Sequence, residues 1–184
     1  MIVGLPMETF TYLHVVISLT GVLSGIVAMA GMSVGRRMPG LTFVFLATTF
    51  ATSASGFLYP ANGVGIRHVV GAVSIILLTT ALVALYVGQL KQAWRFVYVG
   101  AALVALWFNT SAAVVQAFRK IPVLAAWAGE GVENWTLTLQ VMLGVGVLVI
   151  GGLALRRGSA VLPVPISGRS AGGSDMLLRV PTLR

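Results

Sequence analysis

The residues best suited to chemistry in this chain are its two histidines, His14 and His68, which open the same tripeptide. HVV occurs in FTYLHVVISLTG at residues 10–21 and in GIRHVVGAVS at residues 65–74, each time where a long apolar run begins. Neutral imidazole is a common ligand of transition metals and of haem iron. The repeat therefore predicts a paired imidazole site, provided that the surrounding elements bring both rings to one depth.

The composition indicates which elements these are. The chain has 184 residues, of which 58% are hydrophobic and only 9% charged, and its mean hydropathy is +0.98. About 20 consecutive apolar residues suffice to cross a bilayer as a helix. Continuous runs such as VVGAVSIILLTTALVALYVG do not resemble the short alternating strands of membrane β-barrels. We therefore expect a multi-pass helical membrane protein, and the absence of cysteine excludes disulfides, thiolate metal sites and iron–sulfur clusters.

Apolar runs and helix breakers predict an all-α bundle of five transmembrane helices. The predicted spans are about 10–33, 41–59, 66–88, 94–118 and 135–155. Before the last span, IPVLAAWAGEGV fits either a short amphipathic helix on the membrane surface or an irregular loop. We expect 1–157 to form the bundle, and the Gly-, Ser- and Pro-rich segment 158–184 to be a flexible cytoplasmic tail.

The basic residues predict the orientation. Nine of the twelve lie in loops on one side or in the tail, with Asp175 as the single acid there. The other side carries Arg67, Arg119 and Lys120 against Glu8, Glu130 and Glu133 and is neutral. Since Lys and Arg accumulate on the cytoplasmic side, the N-terminus is expected outside and the C-terminus in the cytoplasm of a bacterial inner membrane. The net charge of +8 is thus a signal of topology, and nucleic acid is not expected as a partner.

With this orientation, every span contributes polar side chains to the outer half of the membrane. They are His14, Thr52, Ser53, Ser55, His68, Asn109, Thr110, Ser111 and Gln140. Polar groups in hydrocarbon usually face one another or a cavity. Hydroxyls also return hydrogen bonds to their own helix, and Asn or Gln often joins helices without further function. The pattern predicts either a ligand site or a set of helix contacts.

The sharper of these hypotheses is one b-type haem in the outer leaflet, ligated by His14 and His68. A flat macrocycle must approach helix backbones closely, and Gly21 and Gly71 follow the two histidines on nearly the same faces. Arg67 is the expected partner of a haem propionate. In this hypothesis the chain is an electron-transfer protein, and no catalytic residue is predicted in it.

In architecture the chain resembles the four-helix membrane cytochromes b, which hold haem between histidines of different helices. The resemblance covers the span pattern, His14 and His68, and it departs from the two-haem members, which need four ligand histidines. Through LHVVISLTG, FLATTFATSASGFLYP, HVVGAVS and VVQAF, residues 10–155 also resemble small polytopic inner-membrane proteins of bacteria. That resemblance implies a compact bundle and no particular activity.

Three other hypotheses remain open. The His and Ser side chains of the polar layer, with Asn109 and Gln140, could hydrogen-bond a quinone or lipid in an outer cleft, with Trp107 or Phe108 packed on the ring. His14, His68 and Glu8 are a possible set of transition-metal ligands. Alternatively, the chain is a non-catalytic structural or accessory subunit that packs against a larger membrane complex or a redox partner. The small residues of GVLSG and GVGVLVIGG favour close helix contacts, either within the protein or with a partner.

Overall fold

The structure, a computed structural model, describes residues 1–60, 63 and 65–158. Within these ranges it contains six α-helices and one 3-10 turn, Gly129–Gly131, and no strand. The helices are α1 (Met7–Ser33), α2 (Pro39–Gly56), α3 (Ile66–Tyr86), α4 (Ala93–Lys120), α5 (Pro122–Ala128) and α6 (Val132–Gly158). The predicted tail lies outside the described residues from 159 onward.

The all-helical prediction is confirmed, and each predicted span corresponds to one helix with ends shifted by a few residues. The ambiguous segment before the last span forms α5 and the 3-10 turn. By length and composition, α1, α3, α4 and the stretch Pro122–Arg156 can cross a membrane. The chain therefore has the fold of a multi-pass helical membrane bundle. The shorter α2, in which six of the 18 residues are threonine or serine, is not among these four stretches.

The central helix of the bundle is α4, which contacts every other α-helix. It packs on α1, α2, α3, α5 and α6. On one side, α2 lies between α1 and α3, and within the described part of the chain α1 and α3 make no contact with each other. The position of α2 decides what the two histidines can reach, since one is on α1 and the other on α3.

Close packing of α1 depends on the two glycines of GVLSG. A Cβ atom at Gly25 would lie 2.6 Å from the Phe45 ring and 2.8 Å from a Leu106 methyl group. At Gly21 it would lie 2.8 Å from the Thr49 hydroxyl. Glycine spacing of this kind lets membrane helices approach closely. Here it joins α1 to α2 and α4 within the protein.

The two ends of the bundle differ in chemistry. At one end, called the basic end, lie Arg36, Arg37, Lys91, Arg95 and Arg156, which flank the ends of α1, α3 and α6 and the starts of α2 and α4. The Arg95 guanidinium donates to the carbonyl of Ala154, which joins the start of α4 to the end of α6. Most of the fully buried apolar side chains, such as Phe45, Leu78 and Tyr98, lie in this half. The opposite end, called the histidine end, holds His14, His68 and the other side chains of the predicted polar layer.

Candidate functional site

His14 on α1 faces the last turn of α2. Its Nδ1 lies 2.8 Å from the Ser55 hydroxyl, and its ring stands edge-on to Tyr59 with centroids 5.4 Å apart. The Ser55 hydroxyl also donates to the carbonyl of Thr52 at 3.1 Å. Which of the two side chains donates depends on the tautomer of the His14 ring. In either case His14 ties α1 to α2.

His68 occupies the first turn of α3 and has a different role. The backbone N–H of Gly65 donates to His68 Nδ1 at 3.1 Å, so the side chain caps its own helix. A ring that accepts at Nδ1 carries its proton on Nε2 when neutral, and that nitrogen is then not a metal ligand. The ring also packs beside Phe57, with centroids 5.8 Å apart.

The two histidines therefore lie at the same end of the bundle, on opposite sides of the end of α2. Ser55 and Tyr59 contact His14, and Phe57 contacts His68. A haem between the rings would need the space that Ser55, Phe57 and Tyr59 fill, and ligation by His68 through Nε2 would need the cap on α3 to be released. The arrangement does not fit a haem held between His14 and His68.

The other residues predicted to admit haem have protein partners. A Cβ at Gly71 would lie 2.9 Å from the Phe57 ring, so Phe57 covers this glycine. Gly21 is covered by Thr48, Thr49 and Asn109. The Arg67 guanidinium donates to the carbonyl of Pro60 at 3.0 Å and thereby joins the first turn of α3 to the chain just after α2.

Asn109 joins α4 to α1 through Ser18. The Ser18 hydroxyl donates to Asn109 Oδ1 at 2.8 Å, and Asn109 Nδ2 donates to the Ser18 carbonyl at 3.4 Å. Asn109 is only 8% exposed, so water is largely kept away from this pair. A two-bond contact in an apolar surrounding is a typical way of fixing the register of membrane helices.

Gln140 and Trp107 join α4 to α6. Trp107 Nε1 donates to the backbone carbonyl of Gln140 at 3.0 Å, while the Trp107 ring lies beside Phe108 with centroids 5.3 Å apart. Gly144, one turn further along α6, lies against the same indole. The indole predicted to pack on a quinone thus serves as a contact between two helices.

Two of the remaining hydroxyls of the polar layer bond to their own helices. Thr52 donates to Thr48 and Thr110 to Leu106, each to the carbonyl four residues earlier. Two buried hydroxyls, on Thr49 and Ser111, have no hydrogen-bond partner. These bonds are of the kind that satisfies a hydroxyl in a membrane helix without a ligand.

Glu8 does not join the histidines in a metal site. Across the described ranges, no three His, Cys, Asp or Glu side chains lie close enough together to hold a metal ion. Glu8 belongs to the first turn of α1, nearly two turns before His14.

Sequence reasoning missed three contributors to this end of the bundle, namely Ser18, Phe57 and the capping role of His68. A signal for the last was present, because the histidine is the third residue after the glycine that precedes α3. Nothing in the sequence distinguished Ser18 from other serines that bond to their own helix. Its partner lies 91 residues away.

Comparison of the chain with protein-family models, with curated proteins and with solved structures finds no match. The class that the fold defines is a multi-pass helical membrane protein, and its function must be argued from its own contacts.

Proposed function

We propose that this chain is a non-catalytic structural or accessory subunit of a larger complex in the bacterial inner membrane. The observation that carries the proposal is that polar side chains at the histidine end join neighbouring helices. His14, Ser18, Asn109 and Trp107 each contact a neighbouring helix, and these contacts connect α1, α2, α4 and α6. A layer of such bonds gives a bundle one fixed register, which is what a scaffold for other subunits needs.

In this proposal α2 is the fifth span. It lies antiparallel to α1 and contacts it from Met38, beside Gly31, to Ser55, beside His14. Its 18 residues measure about 27 Å at 1.5 Å per residue, close to the thickness of the hydrocarbon core. The threonines that lower its hydropathy face α1 or its own backbone, as at Thr48 and Thr49.

In this proposal the basic end lies in the cytoplasm and the histidine end lies outside. Lys and Arg favour the cytoplasmic side. At the histidine end, Trp127 and Trp135 are exposed and lie with ring centroids 4.7 Å apart. Such aromatic side chains are typical of the region of lipid headgroups.

The surface offered to a partner is on α6, the least covered of the long helices. Of the most apolar 18-residue stretch within Pro122–Arg156, only 11% is buried, against 44% for the corresponding stretches of α1 and α4. Gly144 and Gly151 face α4, whereas a Cβ at Gly146 would meet nothing within 4 Å. Met142 and Val149, which flank Gly146 on the same helical face, are 64% and 56% exposed.

Site-directed photocross-linking in intact membranes tests this proposal. With a photoreactive residue at Val149, we expect a discrete protein adduct, because this position lies beside the open Gly146. The control is Leu23 on α1, which is 65% exposed and has no such notch near it. Protein adducts absent from Val149, or equally abundant at both positions, would contradict a partner on α6.

A further inference from the structure

An apolar groove opens between α2 and α3 in the basic half of the bundle. Its volume is about 380 Å³, within the range of roughly 300–1,000 Å³ usual for ligand pockets. The lining residues are Phe43, Leu46, Ala47 and Phe50 of α2 and Leu82 and Tyr86 of α3. Leu46 is 2% exposed and forms the floor, whereas Phe43 and Tyr86 at the rim are 62% and 61% exposed.

The groove runs from the basic end toward the middle of the bundle. Tyr86 is the last residue of α3 and Phe43 lies in the second turn of α2, so both are at the basic end. Phe50 lies seven residues further along α2, about 10 Å deeper at 1.5 Å per residue. An elongated apolar chain that enters from the basic end would follow this direction.

Two basic residues lie near the helix ends that form the mouth of the groove. Arg37 comes two residues before the start of α2, and Lys91 comes five residues after the end of α3. Glu8, Glu130 and Glu133, the carboxylates of the described part of the chain, all belong to segments at the histidine end. These cations therefore have no carboxylate partner among the described residues of the basic end.

We propose that this groove binds an anionic phospholipid, with one acyl chain along Phe43, Ala47 and Phe50 and the phosphate beside Arg37 and Lys91. The inference rests on the proposed crossing of the membrane by α2. Charge complementarity selects the occupant, because the groove is apolar along its length and Arg37 and Lys91 flank the helix ends at its mouth. A second copy in the same orientation would instead bring another set of unpaired cations to the same mouth.

Native mass spectrometry of the full chain in detergent tests the proposal. The delipidated protein is titrated with phosphatidylglycerol and with phosphatidylcholine of identical acyl chains. We expect one phosphatidylglycerol to bind in preference to phosphatidylcholine. Arg37→Gln should weaken the binding of phosphatidylglycerol about fivefold and leave the binding of phosphatidylcholine unchanged. One basic residue near a membrane surface contributes roughly that factor to the affinity for an anionic lipid.

Ala47→Trp tests the groove itself, because the indole would fill it and displace the chain of either lipid. Leu23→Trp is the matched control, since it adds the same ring to an exposed position on α1. If Ala47→Trp does not fold, as judged by circular dichroism, Leu82→Phe takes its place. Equal affinity for the two lipids, or Ala47→Trp binding like Leu23→Trp, would overturn the proposal. A photoreactive residue at Phe43 that cross-links to a protein, and not to lipid, would also overturn it. A failed cross-link at Val149, by contrast, would contradict only the proposed partner on α6.

Discussion

Gly25→Ala is expected to destabilise the bundle by about 1–3 kcal/mol, the usual cost of an extra carbon in a close-packed contact. The new methyl group would lie 2.6 Å from the Phe45 ring and 2.8 Å from Leu106. Neither neighbour can simply turn away, because Phe45 is fully buried and Leu106 is 3% exposed. Relief therefore requires α1 to move from both α2 and α4.

Thermal unfolding in detergent, followed by circular dichroism, measures this effect. The matched control is Gly146→Ala on α6, where the added methyl group would meet nothing within 4 Å. We expect the control to unfold at or slightly above the wild-type temperature, since alanine favours helix more than glycine does. Equal unfolding temperatures for the two variants would show that α1 does not pack through Gly25 as described.

Asn109→Ala is the second substitution with a large expected effect, about 1–3 kcal/mol, because it removes a buried side chain and leaves the partly buried Ser18 hydroxyl without its acceptor. A double-mutant cycle with Ser18→Ala separates the contact itself from other consequences of the two changes. We expect a coupling free energy of about 1 kcal/mol, within the range measured for hydrogen bonds between membrane helices.

Thr110→Ala supplies the control for this cycle. Thr110 is next to Asn109, but its hydroxyl donates to the carbonyl of Leu106 on its own helix. Combined with Ser18→Ala it should show additive effects and no coupling. Coupling of similar size in both cycles would mean that the register of α1 on α4 does not depend on the Ser18–Asn109 contact.

The positions of the helices could be predicted from the sequence because each depends on a local property. Apolar runs bounded by breakers such as SVGRRMPG gave spans whose ends differ from the observed helices by only a few residues. GVLSG likewise marked a close helix contact, since a run of small residues leaves few other uses for that surface. That the contact lies with Phe45 and Leu106 was not predictable, because it depends on how three helices meet.

For the two histidines, the location could be predicted from the sequence but the different roles could not. The sequence placed both near one end of the bundle, and the structure has both there, beside the end of α2. Their difference in role comes from neighbours that the shared HVV does not encode. A serine of another helix binds the ring of His14, whereas a glycine N–H three residues earlier binds that of His68.

The absorption spectrum of the full chain, produced with ample haem and purified in mild detergent, tests most directly whether the polar residues join helices or hold a cofactor. The account predicts a folded, colourless protein without a reduced α-band. It also predicts that His14→Ala and Ser55→Ala both lower the unfolding temperature, since each removes the contact between these two side chains. A sharp reduced α-band that disappears in both His14→Ala and His68→Ala would contradict it and establish the haem hypothesis instead.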